Sequence, residues 1–260
     1  MLLPRVLTAV IGVPLLLFLI HAGGLAWCAF IVLVCAFCIH EYGLILAAGG
    51  RPVQRWTGLA CGTLLSLSVA AGGPSEAVLT AVVAALVLRE MFGRVRSLER
   101  LSFTLFGVLF AGWMPAHAAL LRSLRPDGEK LTFILFAAVW LMDTAAYAAG
   151  KTLGRHKLAS GLSPKKTWEG AVAGFLGAVG TAYMLARVLR PEGLGPHGAL
   201  ALGATVGVCG QLSDLAESLV KRAVGAKDSG TLLPGHGGVL DRFDSMILAA
   251  PAAYYLMSLK

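Results

Sequence analysis

The chain has 260 residues, of which 57% are hydrophobic and only 14% charged. Soluble domains carry about 25% charged residues, so a soluble domain of this length could not cover its surface, and intrinsic disorder is excluded by the same numbers. Glycine is abundant, with 32 residues, but follows no triplet repeat, which rules out collagen and leaves an all-α, polytopic membrane helix bundle. The net charge of +8 would suit a nucleic-acid binder, so where the charges sit has to decide.

A hydrocarbon core about 30 Å thick asks for about 20 mainly apolar residues per helix. In chain order such spans run Arg5–Ile20, Leu25–Ile39, Thr57–Gly72, Ala77–Leu88, Leu101–Leu121, Leu131–Gly150, Gly170–Leu189, Ala199–Ser213 and Leu240–Leu259. They predict about nine transmembrane helices in a single membrane domain, with an N-terminal set over 1–125 and a C-terminal set over 126–260. Arg5, the apolar stretch after it and Ala22-Gly23-Gly24 also fit a signal peptide. Eight similar spans follow, however, so the stretch reads as a first membrane helix. With a cytoplasmic N-terminus, 16 of the 22 Lys and Arg residues fall in inside segments and 6 outside. Basic residues accumulate on the cytoplasmic side; most of the +8 is therefore topology, and no nucleic-acid partner is expected.

The cysteines at 28, 35, 38, 61 and 209 all lie in apolar spans. Cys35-Ala36-Phe37-Cys38 has metal-site spacing but no second pair to complete four ligands, so these residues read as small apolar side chains. Gly170-x3-Gly174 and Gly203-x3-Gly207 fit close helix packing.

Chemistry gathers in the C-terminal half. Asp143 lies seven residues inside the sixth span, about 10 Å deep at a rise of about 1.5 Å per residue. A carboxylate there costs roughly 2.5–3.5 kcal/mol on insertion and is by default functional. Tyr147 and Lys151 follow on the same helical face. In Ser163-Pro164-Lys165-Lys166-Thr167-Trp168-Glu169-Gly170, serine and proline predict a helix start. Two lysines would then sit at the positive end of the helix dipole, an arrangement that a docked phosphate would relieve. Asp214, Glu217, Ser218 and Lys221 recur at i, i+3, i+4 and i+7, followed by Arg222. Carboxylates on one stripe suit Mg²⁺. Lys227-Asp228 precedes Pro234-Gly235-His236-Gly237-Gly238, a turn whose glycines allow backbone to approach a ligand. Asp241, Arg242 and Asp244 then open the last span, with the two carboxylates on one face.

At these residues the chain resembles the phosphatidate cytidylyltransferase family, also called CDP-diacylglycerol synthases. The family pattern S-x-[apolar]-K-R-x4-K-D-x-[small]-x2-[apolar]-P-x-H-G-G-[apolar]-x-D-R-[apolar]-D is unbroken from Ser218 to Asp244. The S-P-K-K-T-W-E-G element runs Ser163–Gly170, and Asp143 with Tyr147 matches the family's D-x3-Y. Ser213 departs from the glycine found in many members. The resemblance implies an integral enzyme of the inner membrane with its site facing the cytoplasm. It would use CTP and phosphatidate to make CDP-diacylglycerol and pyrophosphate with Mg²⁺, and it leaves open a monovalent cation such as K⁺ and a homodimer. Asp214, Asp241 and Asp244 are the expected metal ligands, with Lys166 and Asp143 catalytic. The expected substrate contacts are Lys151, Ser163, Lys165, Lys166, Thr167 and Glu169, then Glu217, Ser218, Lys221 and Arg222, then Lys227, Asp228, His236, Gly237, Gly238 and Arg242. His236 reads as a turn residue, a phosphate contact or a general acid for pyrophosphate, with phosphate contact favoured.

The main rival is an ion-coupled transporter, which would use the intramembrane acids but leave the glycine turn and the lysines idle. A CDP-alcohol phosphotransferase would need D-G-x2-A-R, and the sole Asp-Gly pair, Asp127-Gly128, is followed by Glu129-Lys130.

Overall fold

In a computed structural model of the chain, residues 3–230 and 237–259 are described. The helices are α1 (Leu3–Ala22), α2 (Gly24–Ala48), α3 (Arg55–Ala70), α4 (Ser75–Met91), α5 (Leu98–Gly107), α6 (Met114–Ser123), α7 (Gly128–Thr152), α8 (Trp168–Leu189), α9 (Pro196–Ala223), α10 (Leu240–Phe243) and α11 (Met246–Ser258). A π-helical turn, Val108–Trp113, joins α5 to α6, and a short antiparallel hairpin, β1 (Lys157–Ala159) and β2 (Ser163–Thr167), precedes α8.

Each predicted apolar span falls mainly on helix. Among the described residues, five helices are long and apolar enough to cross a membrane: α2, the run Leu98–Ser123, α7, α8 and α9. The protein is therefore a mainly helical membrane protein.

Three local expectations need correction. The second span was expected to end at Ile39, before His40-Glu41, yet α2 continues to Ala48. Glu41 is buried with donors around both carboxylate oxygens, so its charge does not oblige the helix to stop. The helix expected to start at Ser163-Pro164 instead begins at Trp168, and Ser163 to Thr167 form β2. The N-cap is Thr167, whose Oγ1 accepts from the Gly170 amide at 3.1 Å. Lys165 and Lys166 therefore precede the helix as strand residues and do not lie in its first turn. The last span is also interrupted at Asp244-Ser245. There the Asp244 carboxylate accepts from the Ser245 amide at 2.6 Å, and the Ser213 hydroxyl donates to the Asp244 carbonyl while accepting from the Leu248 amide at 3.0 Å. These side-chain bonds satisfy backbone groups at the break.

The chain divides into two compact units, residues 1–120 with 220–243 and residues 121–219 with 244–260. In the first, α2 and α3 pack closely. A Cβ on Gly62 would lie 2.6 Å from Ile39 Cδ1, and one on Gly107 would lie 2.3 Å from the Tyr42 ring. The Tyr42 hydroxyl donates to the Phe103 carbonyl at 2.9 Å, just ahead of the π turn. In the second unit, α7 and α8 pack extensively against each other. Gly170 and Gly174 let the backbones approach so nearly that added Cβ atoms would lie 2.7 Å from the Ala146 carbonyl and 3.0 Å from the Ala146 Cβ. Gly203 serves α8 and α9 in the same way, 2.6 Å from the Val179 Cα. The small-residue spacing read from the sequence is thus a packing device.

Candidate active site

The second unit contains a cavity of about 560 Å³. Helices α7, α8 and α9 and the hairpin build it, α8 through Gly170 and Ala171. From α7, spacing of four residues turns Asp143, Tyr147 and Lys151 to one side, and the Lys151 ammonium stands 5.8 Å from the Tyr147 ring centroid. The hairpin brings Lys157 from β1 and Lys165, Lys166 and Thr167 from β2. From α9 come Gln211 and Asp214.

Hairpin and helix are locked together. The Trp168 amide donates to the His156 carbonyl at 2.9 Å, and Glu169 Oε1 sits 2.6 Å from His156 Nδ1. Glu169 is thus a brace for the hairpin and not part of the cavity lining. Ser163 also lies off the lining, opposite Ala159 in the hairpin register. Lys157 and Gln211 line the cavity although the sequence did not single them out. Gln211 carried a usable signal, a polar amide inside an apolar span. Its Nε2 donates to the Ala171 and Gly207 carbonyls at 3.1 and 2.7 Å, so it also ties α9 to α8.

Four lysines against two carboxylates make the cavity wall basic. Lys166 Nζ lies 2.6 Å from Asp214 Oδ2. On its other side Asp214 meets Glu217 and Asp244, and one carboxylate oxygen from each of the three lies within 4.8 Å of the others. At that separation an effective dielectric near 20 gives a repulsion of about 3 kcal/mol per pair. Three hard oxygen donors gathered against this repulsion fit a divalent cation such as Mg²⁺. Ser213 sets the third member in place through its two bonds across the Asp244 break.

The expected ligand Asp241 is engaged otherwise, in the first unit. Its Oδ1 accepts from Lys221 Nζ at 2.7 Å, and its Oδ2 accepts from the Ser229 and Gly238 amides at 2.9 and 3.0 Å. Gly237 has φ of 79°, a conformation that favours glycine, and a Cβ there would lie 3.0 Å from Asp241 Oδ2. Arg222 is exposed and donates to the Ala226 carbonyl at 2.9 Å; Lys227, Asp228 and Arg242 are exposed as well. Ser218 is buried on α9. His236 lies outside the described residues.

Comparison with known proteins gives a consistent result. A family model described as the cytidylyltransferase family matches residues 3–260. A phosphatidate cytidylyltransferase of Brucella suis is 35% identical over 254 residues, covering 96% of this chain and 91% of its own. One from Synechocystis is 32% identical over 283 residues, covering 98% and 96%. One from Bacillus subtilis is 36% identical over 189 residues, covering 71% and 68%.

Proposed function

The chain belongs to the cytidylyltransferase family, and on that premise we propose how its residues transfer CMP from CTP to phosphatidate, forming CDP-diacylglycerol and pyrophosphate. The observation that carries the reading is the basic cavity that shares Asp214 with a cluster of three carboxylates. The ion-coupled transporter reading finds no support in the family or in these relatives.

The nucleophile is a phosphate oxygen of phosphatidate, ionised at neutral pH, so the enzyme needs no residue to remove a proton from it. A bond forms from that oxygen to the α-phosphorus of CTP, and the bond from this phosphorus to the bridging oxygen breaks, with its electron pair leaving on pyrophosphate. Catalysis then consists of positioning and charge neutralisation. Lys151, Lys157, Lys165 and Lys166 supply positive charge to the triphosphate and the lipid phosphate. Asp214, Glu217 and Asp244 are the residues that would hold Mg²⁺. When bound, that ion supplies charge stabilisation for the oxygens of the reacting phosphates. The Lys166–Asp214 pair keeps the lysine beside the carboxylate cluster and fixes its ammonium at the cavity edge.

The apolar helices put the protein in a membrane. The division of basic residues, 16 inside and 6 outside, supports a cytoplasmic N-terminus and a site open to cytoplasmic CTP. Its bacterial relatives are in keeping with a place in the cell membrane.

The test is direct. Protein purified in detergent is given phosphatidate, Mg²⁺ and CTP labelled at the α-phosphate. Label should enter the lipid fraction with one pyrophosphate released per lipid labelled. CTP hydrolysis without lipid labelling, or no turnover, would overturn the assignment.

A further inference from the structure

Glu41 lies in α2, 198 residues before Val239 and 199 before Leu240, and is fully buried at 0% exposure. Its Oε1 accepts from the Val239 amide at 3.0 Å, and its Oε2 accepts from the Leu240 amide at 2.8 Å and the Ser229 hydroxyl at 3.1 Å. All three donors belong to the Ser218–Asp244 signature, and they flank residues 231–236 on both sides. The same Ser229 hydroxyl stands 2.9 Å from Asp241 Oδ2, so two carboxylates lean on one hydroxyl group.

The glycines of the signature follow from this arrangement. A Cβ on Gly238 would lie 2.0 Å from the Ser229 hydroxyl and 2.3 Å from Glu41 Oε2, and one on Gly230 would lie 2.7 Å from Glu41 Oε1. Backbone must come that close for the carboxylate to reach residues on both sides of positions 231–236. A buried carboxylate is costly unless its oxygens are matched by donors, and here backbone amides and a hydroxyl of the signature supply them.

We infer that Glu41 is a positioning residue for the Asp241–Lys221 pair: it holds Ser229 and the Val239–Leu240 amides, and through them the segment that carries Asp241. The inference rests on the CMP-transfer reading. That segment runs on into Asp244, one of the three carboxylates proposed to hold Mg²⁺, and a misplacement of about 1 Å at a reacting centre can cost about a hundredfold in rate. Glutamine in place of Glu41 keeps the volume but turns one acceptor into a donor, which faces an amide that is itself a donor.

The experiment compares wild type with E41Q and E41A in the CMP-transfer assay and by amide hydrogen exchange. In E41Q, kcat should fall about a hundredfold, with the KM for CTP changing much less. Exchange should rise in peptides covering 227–230 and 237–242, while peptides from α7 and α8 keep wild-type protection. E41A should show the same local pattern with a larger rate loss. Wild-type kcat in E41Q, or unchanged local exchange, would overturn the inference. So would a general loss of protection with normal turnover per folded molecule, which marks a purely structural role. An inactive wild type would instead count against the function itself, and the exchange measurement would still report on the contact.

Discussion

Two groups of acidic residues, one in each compact unit, are surrounded differently. In the first, Glu41 and Asp241 are each surrounded by donors: amides, a hydroxyl and the Lys221 ammonium. In the second, Asp214, Glu217 and Asp244 face one another, with Lys166 beside Asp214. A carboxylate matched by protein donors holds a backbone in place. A group of carboxylates turned toward each other lowers its energy by taking a cation from outside. The contrast separates residues that hold backbone in place from those proposed to hold Mg²⁺ more clearly than the acidic motif does, since the motif contains members of both groups.

The sharpest way to break this comparison is to remove one carboxylate from each side. D241A takes away the partner of a largely buried lysine, and the expected loss of stability is about 3–5 kcal/mol, read as a lower thermal midpoint in detergent. D244N should do the reverse. Turnover should fall roughly a hundred- to a thousandfold, the size of losing one preorganised charge-stabilising group. The thermal midpoint should stay level or rise, because a like-charge repulsion has gone. If D244N lowers the midpoint as much as D241A does, the two groups are not different in kind.

Metal addition sharpens the same contrast. Mg²⁺ at about one hundred times its Kd should raise wild-type stability by about 2.7 kcal/mol. That shift should vanish in D214N and persist in D241N; an equal shift in all three proteins would refute the assignment of the carboxylate cluster. A smaller effect is expected for K166A, which loses its ion pair with Asp214 and one positive charge at the cavity. The KM for CTP or phosphatidate should rise about tenfold, equivalent to about 1.4 kcal/mol, and unchanged values for both would remove Lys166 from the site.

The smallest effect concerns Glu90, beyond the end of the fourth apolar span. The Arg100 guanidinium beside it, against the opposing effect of burial and with help from Gln54 and the Ser97 amide, lowers its pKa from the ordinary 4.5 to about 2. The folded state therefore favours the charged form. Stability from Glu90 is complete above about pH 4.5 and is lost as pH falls toward 2. Wild type and E90Q should differ most in thermal midpoint near neutrality and converge in acid; a gap that widens on acidification would contradict this.

Much of the molecule follows from local pattern. Apolar runs mark the helices because a bilayer tolerates little else, and spacings of three and four residues place Asp143 with Lys151 and Asp214 with Glu217 on common faces. Where two local signals competed, sequence reading failed. Ser163-Pro164 resembles a helix start, but Thr167 supplies the cap closer to the apolar run, and the intervening residues pair as a hairpin with Lys157–Ala159. Asp241 and Asp244 have helical spacing, yet the Ser213 hydroxyl and the Asp244 carboxylate sustain a break just beyond α10.

Composition, order and motif thus determined by themselves that this is a helical membrane protein, and where along the chain its acidic and basic residues concentrate. Only the tertiary structure decided which of them meet. Asp244 joins Asp214 and Glu217, Asp241 joins Lys221, and Glu41 reaches the Val239 and Leu240 amides nearly two hundred residues away. The reason is physical. Helical periodicity governs neighbours a few residues apart, whereas contacts between distant segments depend on how closely backbones approach, here at Gly170, Gly174, Gly230 and Gly238. The charge deficit of the composition left few polar groups to place, and packing assigned those described here either to structure or to chemistry.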